Sequence, residues 1–326
     1  LCLDVPAGTQ VGIDLNSWKV GDRFQGITGV PPGAHYLYFA SSDDDGALVS
    51  GLFLYVARDD DVWVGRWSTF TEQILPLTDI EEIDRYRNGV RQHDFDYNLG
   101  RYPMDILQSW TALSNHIDSR TIARLAPINS LIVSSTAPGG EESTTDVSRT
   151  YFTDLSLPRT VHEPGEVTAV NLDRSSQFEE LIAKRFAGNE ALVLGELQFA
   201  FVAFLLGQSF DAFDQWKTLV RLLCSCERAL CAYSQFFADF IDTLRAQVDQ
   251  APAEFFTVEL TSNNFLHRSL SDLFELGQDT GLKDRLQQFR LAVESKFHCL
   301  FSTEPILNDD GRFDPDDEDA PAIVEL

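Results

Sequence analysis

Short runs of aromatic and β-branched residues open the chain, each closed by a turn signal. Residues 1–5, 35–40, 52–57 and 62–67 carry this pattern and are predicted to be strands. The turns between them are Pro6-Ala7-Gly8, Pro31-Pro32-Gly33, Asp43-Asp44-Asp45-Gly46 and Asp59-Asp60-Asp61. The last is short enough to predict a hairpin between residues 52–57 and 62–67. The period then lengthens. Ile80, Ile83 and Val90 share one helical face, and Met104, Leu107 and Trp110 continue at steps of three after Pro103. Residues 1–133 are therefore expected to form a small β-sheet domain with appended helices.

Residues 134–150 hold no large apolar side chain except Val147, so they cannot bury enough surface to offset the entropy of ordering. A flexible linker is predicted over 134–172. From residue 173 the apolar spacing is helical. Phe178, Leu181, Ile182 and Phe186 mark a first helix stopped by Gly188. Residues 192–206 make a second, apolar almost all round and so central to its domain. Phe210, Phe213, Val220 and Leu223 mark a third. Leu230 through Val248 mark a fourth, Leu266, Leu270 and Leu273 a fifth, and Leu282 through Phe297 a sixth. Short connections between them predict an all-α bundle over 173–300. The fold class is α+β with two domains, followed by an acidic tail over 301–326.

Charge narrows the function. The 326 residues carry 25 Lys and Arg against 51 Asp and Glu, a net −26. Nucleic-acid phosphates and anionic membranes would repel such a surface, so proteins with basic surfaces are the expected partners. The excess is uneven. Residues 1–155 carry −11, residues 156–300 carry −7, and the last 26 residues alone carry −8. The longest apolar run is about half the ~20 residues a bilayer requires. Five cysteines in a chain of this length make no disulfide framework, which points to the cytosol or nucleus. The chain opens on Leu1 in place of Met, so its natural start is expected upstream.

Candidate chemistry is sparse. Cys224, Cys226 and Cys231 invite zinc, but their spacing is not that of paired ligands on a tight turn. Buried apolar cysteines are the better reading. The six histidines show no i, i+4 pair, and no phosphate loop, dinucleotide fingerprint or nucleophile elbow occurs. No enzyme activity, cofactor or metal is predicted. Two segments suggest binding. Ser134, Ser135, Ser143, Thr144, Thr145 and Ser148 lie in the linker, where exposed hydroxyls would accept phosphate. Ala322, Ile323, Val324, Glu325 and Leu326 form a short β-prone end on an acidic leash, suited to adding a strand to a partner's sheet edge.

Two long blocks carry a resemblance. Residues 12–41 read GIDLNSWKVGDRFQGITGVPPGAHYLYFAS, and residues 194–224 read LGELQFAFVAFLLGQSFDAFDQWKTLVRLLC. With VGRWST at 64–69 and a closing VEL, they resemble the Aar-two (cistron-splicing factor) family. The resemblance implies a β-sandwich-like first domain with appended helices, a helical second domain of VHS-like form and no catalysis. It implies a monomeric assembly factor of the U5 small nuclear ribonucleoprotein, shared between cytoplasm and nucleus. The partner it implies is the central scaffold protein of the spliceosome, bound at its RNase H-like and Jab1/MPN-like domains. The family's added strand falls on Ala322 to Leu326. From the residues themselves, Trp18 and Phe24 are expected to pack the first core, with Gly21, Gly26 and Gly33 at turns. Leu197, Phe201, Phe204 and Leu205 are expected in the bundle core, with Trp216 capping it. The alternative is a generic helical module that binds peptides along residues 173–298. A hydrolase using cysteine or carboxylates has almost no motif support.

Overall fold

A computed structural model describes residues 1–40, 48–134, 149–156, 173–251, 265–297 and 301. The strands are β1 (Cys2–Leu3), β2 (Gln10–Ile13), β3 (Asn16–Lys19), β4 (Gly26–Thr28), β5 (Gly33–Ala40), β6 (Ser50–Val56), β7 (Gly65–Ser68), β8 (Gln73–Pro76), β9 (Leu99–Arg101) and β10 (Ile132–Val133). The helices of the first half are α1 (Ile80–Arg91), α2 (Leu107–Ser114) and α3 (Ser119–Leu125). Those of the second are α4 (Ser175–Arg185), α5 (Ala191–Leu205), α6 (Phe210–Leu223), α7 (Glu227–Ala232), α8 (Ser234–Gln250), α9 (Phe265–Leu276) and α10 (Lys283–Phe297). The β-rich first half and helical second half make an α+β protein.

The central sheet is antiparallel, in the order β10-β6-β5-β2-β3. Strand alternation gives it two working faces. Leu37 and Phe39 of β5 point one way, onto Trp67 and Ile74 of a smaller sheet ordered β1-β7-β8. Phe39 meets Trp67 edge to face, with ring centroids 5.9 Å apart. Tyr36 of β5 and Phe53 of β6 point the other way, into helices. Gly12 is required where β2 passes β5, because a Cβ there would lie 2.1 Å from the Tyr38 ring. Trp18 and Phe24 pack at the edge of the inter-sheet core, as their signature suggested.

The predicted hairpin across Asp59-Asp60-Asp61 does not form. The turn itself is present: Asp61 Oδ2 accepts from Ala57 N at 2.9 Å and Arg58 N at 3.0 Å. Yet β6 pairs with β5 and β10, while β7 pairs with β1 and β8 in the other sheet. A turn signal reports a change of direction, not the identity of the neighbour, and consecutive strands pair only about two-thirds of the time. Here the chain crosses between sheets so that Trp67 can cover Phe39.

In the second half, α4 ends where expected. Ala187 and Gly188 take positive φ (52° and 77°), and Gly188 N donates to Ile182 O at 3.0 Å. The fourth predicted helix is two. Tyr233 breaks it at φ −117°, ψ 46°, which carries its ring edge-on to Phe178 of α4 with centroids 5.5 Å apart. Trp216 does not cap the bundle. It is fully buried at its centre, and its indole Nε1 donates to Gln247 Oε1 at 2.8 Å.

Cys224 and Cys226 are buried in the helical core and Cys231 is exposed. Burial raises the thiol pKa of both buried residues. Among the described residues no three metal-ligating side chains converge. A thiol-reactive probe should therefore label Cys231 in the folded protein and leave Cys2, Cys224 and Cys226 untouched until denaturant is added. Peptide mapping of the labelled chain checks this, and early modification of Cys224 would contradict it.

Asp118 caps α3, accepting from Thr121 N at 2.7 Å and Thr121 Oγ1 at 2.8 Å. Partial burial pushes its carboxyl up, but the hydrogen bonds from Thr121 outweigh this and hold the pKa below the usual value. A lowered folded-state pKa stabilises the fold above the unfolded value and loses that contribution as pH falls through the folded one. Asp118→Ala should cost about 1 kcal/mol at neutral pH. The difference from the parent should shrink in acid titrations below about pH 4.

Candidate functional site

Helix α5 lies between the two halves and belongs to both cores. Its position explains why an apolar helix contains Glu196 and Gln198, each wholly buried. Buried polar groups must find partners, and these find theirs across the domain boundary.

Glu196 gathers four parts of the chain. Its Oε1 accepts from Thr153 N at 2.7 Å and from Gln215 Nε2 of α6 at 2.8 Å. Its Oε2 accepts from Thr153 Oγ1 at 2.7 Å and forms an ion pair with Arg124 Nη2 of α3 at 2.8 Å. Arg124 Nη1 also donates to Thr153 Oγ1 at 2.7 Å, and its guanidinium lies over the Phe186 ring at 5.2 Å. Gln198 ties the opposite edge. Its Oε1 accepts from His116 N at 2.7 Å, and its Nε2 donates to Asn115 Oδ1 at 2.7 Å and Ala112 O at 3.2 Å. Gly195 permits this approach: a Cβ there would sit 2.7 Å from His116 O. Phe199 completes the seam, stacked on Phe53 of the central sheet with centroids 4.1 Å apart.

Residues 149–156 form a strap over this seam. Tyr151 N donates to Leu125 O at 2.9 Å, and Asp154 pairs with Arg185 at 3.2 Å. Leu155 is buried in the helical core. This stretch falls inside the segment read from sequence as a flexible linker. The cause is Thr153, whose backbone and hydroxyl both serve Glu196; a segment poor in large apolar residues is held here by polar bonds.

A second buried knot sits under the Pro31-Pro32-Gly33-x-His35 signature. Asp14 is fully buried; its Oδ2 lies 2.7 Å from His35 Nδ1 and accepts from Tyr102 OH at 2.7 Å, and its Oδ1 accepts from Tyr36 N at 2.9 Å. His35 Nε2 lies 2.7 Å from Pro31 O. That carbonyl can only accept, so Nε2 carries a hydrogen, and Nδ1 shares the other proton with Asp14. Burial raises the Asp14 pKa, against the hydrogen bonds from His35, Tyr102 and Tyr36 N. The polar side-chain atoms of Asp14, His35 and Tyr102 all hold β2, β5 and the Tyr102 segment together. These bonds fasten the signature loop to the central sheet.

Of the predicted binding residues, Ala322, Ile323, Val324, Glu325 and Leu326 lie outside the described residues, as do Ser135, Ser143, Thr144, Thr145 and Ser148. Ser134 is described, and it is not the exposed hydroxyl expected. It is 8% exposed, its N donates to Val49 O at 2.8 Å, and its Oγ accepts from Val49 N at 3.1 Å. Strand β10 extends the central sheet just far enough to bury it.

Two family models match this chain. One, described as the AAR2 N-terminal domain, matches residues 1–127, and one described as the AAR2 C-terminal repeat region matches residues 152–302. The chain belongs to the AAR2 family. "Protein AAR2 homolog" of Mus musculus is 31% identical over 372 residues, covering 99% of this chain and 92% of its own. The Homo sapiens homologue is also 31% identical, over 367 residues with the same coverage. "A1 cistron-splicing factor AAR2" of Saccharomyces cerevisiae is 22% identical over 360 residues, covering 98% of this chain and 95% of its own. The second AAR2 match begins at Phe152, so it takes in Thr153 of the strap together with α5. The GELQFAF block thus carries the bridge itself, in Gly195, Glu196, Gln198 and Phe199. From sequence, residues 192–206 read as apolar almost all round, a pattern that passes over Glu196 and Gln198. The available signal was an acid and an amide two residues apart in a helix with no polar face. Among the described residues, no helix is long and apolar enough to cross a membrane.

Proposed function

We propose that this protein is a non-enzymatic assembly factor in pre-mRNA splicing. It binds the central scaffold protein of the U5 small nuclear ribonucleoprotein at its RNase H-like and Jab1/MPN-like domains, in cytoplasm and nucleus. By doing so it keeps RNA and the helicase away too early in assembly. The observation that carries the reading is family membership over both halves, in a family whose yeast member is named a splicing factor. The bridge at Glu196 and Gln198 supports it physically. Two domains fastened by buried polar bonds present one preshaped surface, and preorganisation lowers the entropy lost on binding. The second domain is read as VHS-like, and Ala322 to Leu326 as a strand added to the partner. The acid excess of −26 suits a partner whose RNA-binding surfaces are basic.

Binding of the purified RNase H-like and Jab1/MPN-like domains tests the reading. Removing residues 319–326 should abolish stable capture, and raising salt from 50 to 500 mM should weaken the full chain about tenfold or more. Salt-independent affinity would remove the electrostatic argument. Capture unaffected by the deletion would remove strand addition.

A further inference from the structure

On a chain of net −26, one face of the helical half carries a cluster of cations. Lys217 and Arg221 stand one turn apart on α6, and both rest on the Phe265 ring at 5.8 Å. Arg268 follows one turn along α9 from Phe265, and Arg174 lies at the start of α4, where its N donates to Ser225 O just beyond α6. Asp272 connects the two arginines: Arg268 and Arg174 both act electrostatically on its carboxyl, with Glu275 as a further anion nearby. None of the four cations forms an ion pair among the described residues. Eight of the other fifteen arginines among the described residues do have a carboxylate partner: Arg58, Arg66, Arg87, Arg124, Arg185, Arg228, Arg285 and Arg290. Arg221 and Arg268 are exposed, so their charges face solvent. Four cations against Asp272 and Glu275 leave an excess of positive charge on this face, which an anionic ligand would neutralise.

We propose that this ligand is the chain's own acidic tail, residues 309–319, docked on the Lys217–Arg221–Arg268–Arg174 face in the free protein. Connectivity argues for it. The last described residue, Phe301, stacks on His267 with ring centroids 4.8 Å apart, and meets Phe274 edge to face at 5.1 Å. Arg290 donates to the Phe301 carbonyl, and Phe301 N donates to Glu294 Oε1 at 3.1 Å. The tail therefore departs from α9, the helix that carries Phe265 and Arg268. His267 and Phe265 lie on different sides of α9. Seven residues, 302–308, span up to about 23–25 Å when extended, against a helix diameter of ~10–12 Å. That reach carries Asp309 around α9 to the basic face. Residues 309–319 supply seven carboxylates, at 309, 310, 314, 316, 317, 318 and 319, against Arg312. A tether this short gives an effective concentration in the millimolar range, so several weak ion pairs suffice. The docking concerns the free protein and does not rest on the identity of the splicing partner. Its consequence is competition: a basic partner surface draws the tail off and uncovers four cations.

Zero-length carbodiimide coupling of the full chain, mapped by mass spectrometry, tests the proposal. Lys217 should join to carboxylates of residues 309–319 at low salt, in the monomer band and independently of protein concentration. Coupling should fall at least fivefold in 1 M salt or when those seven acids are changed to Asn and Gln. Lys184, which pairs with Glu180 on α4, is the reference. A second variant, Arg221→Gln with Arg268→Gln, keeps Lys217 as the reporter and should weaken coupling severalfold. Coupling at Lys217 no greater than at Lys184 overturns the proposal. Tail products found only between molecules, or coupling indifferent to both variants, overturn it as well.

Discussion

Phe199→Ala should destabilise the protein by about 4 kcal/mol, the range for truncating a fully buried phenylalanine. The ring is inaccessible to solvent, stacked on Phe53 and set edge-on to Phe152 at 6.1 Å. Its cluster includes Tyr36 and Ile132 from the central sheet, Trp110 from α2 and Ala212 from α6. The cavity thus opens in a core that both halves share. Loss of stability should register in both, so native-state hydrogen exchange should show the slowest amides of β5 and α8 losing protection by the same factor. Loss confined to the helices would mean that the seam transmits nothing and that the halves fold separately.

Glu196→Ala should cost about 3 kcal/mol, near the lower end for removing one member of a buried ion pair. The lower end applies because the Arg124 side chain is 31% exposed and can recover some hydration. Thr153 N, Thr153 Oγ1 and Gln215 Nε2 lose their acceptor at the same time. Glu196→Gln keeps an oxygen for part of this set and should cost less, about 1–2 kcal/mol. Urea denaturation measures the losses. Limited proteolysis adds a readout of place: cleavage near Tyr151 and Phe152 should accelerate in Glu196→Ala before the rest of the chain becomes sensitive. A change within about 0.5 kcal/mol, the scatter of ordinary surface substitutions, would show that the bridge holds nothing.

Much of the fold is legible where one period dominates. Helices α4, α5, α6, α9 and α10 follow from apolar spacing and from stops such as Gly188. Strands β5 and β6 follow from dense aromatic and β-branched runs. Strands β2, β3, β4 and β9 escaped because they are three or four residues long and contain Gly12, Asn16, Gly26 and Gly100. Their ladders are settled by distant partners, Gly26 against Leu99 for example, and no local pattern encodes that. The α7–α8 break at Tyr233 was hidden because its spacing fits a continuous helix, and only Phe178 of another helix explains it. The bridge was half visible. Glu196 and Gln198 stand out in an apolar helix, but Arg124, Thr153 and His116 are partners brought near by the fold alone. The change of period marks the passage from the β-rich first half to the helical second half. It did not announce that α5 would serve as a layer of both.

That double service bears on how the protein is made. The helix-facing side of the central sheet, with Tyr36 and Phe53, waits for Phe199, Val202 and Ala203 to cover it. These residues are synthesised roughly seventy positions after β10. At about 5–20 residues per second, an apolar sheet face stays open on the ribosome for roughly 4–14 seconds. Translation tempo between residues 134 and 205, and the holdases present at the tunnel exit, should therefore influence the yield of soluble protein more than they would for two domains that fold independently.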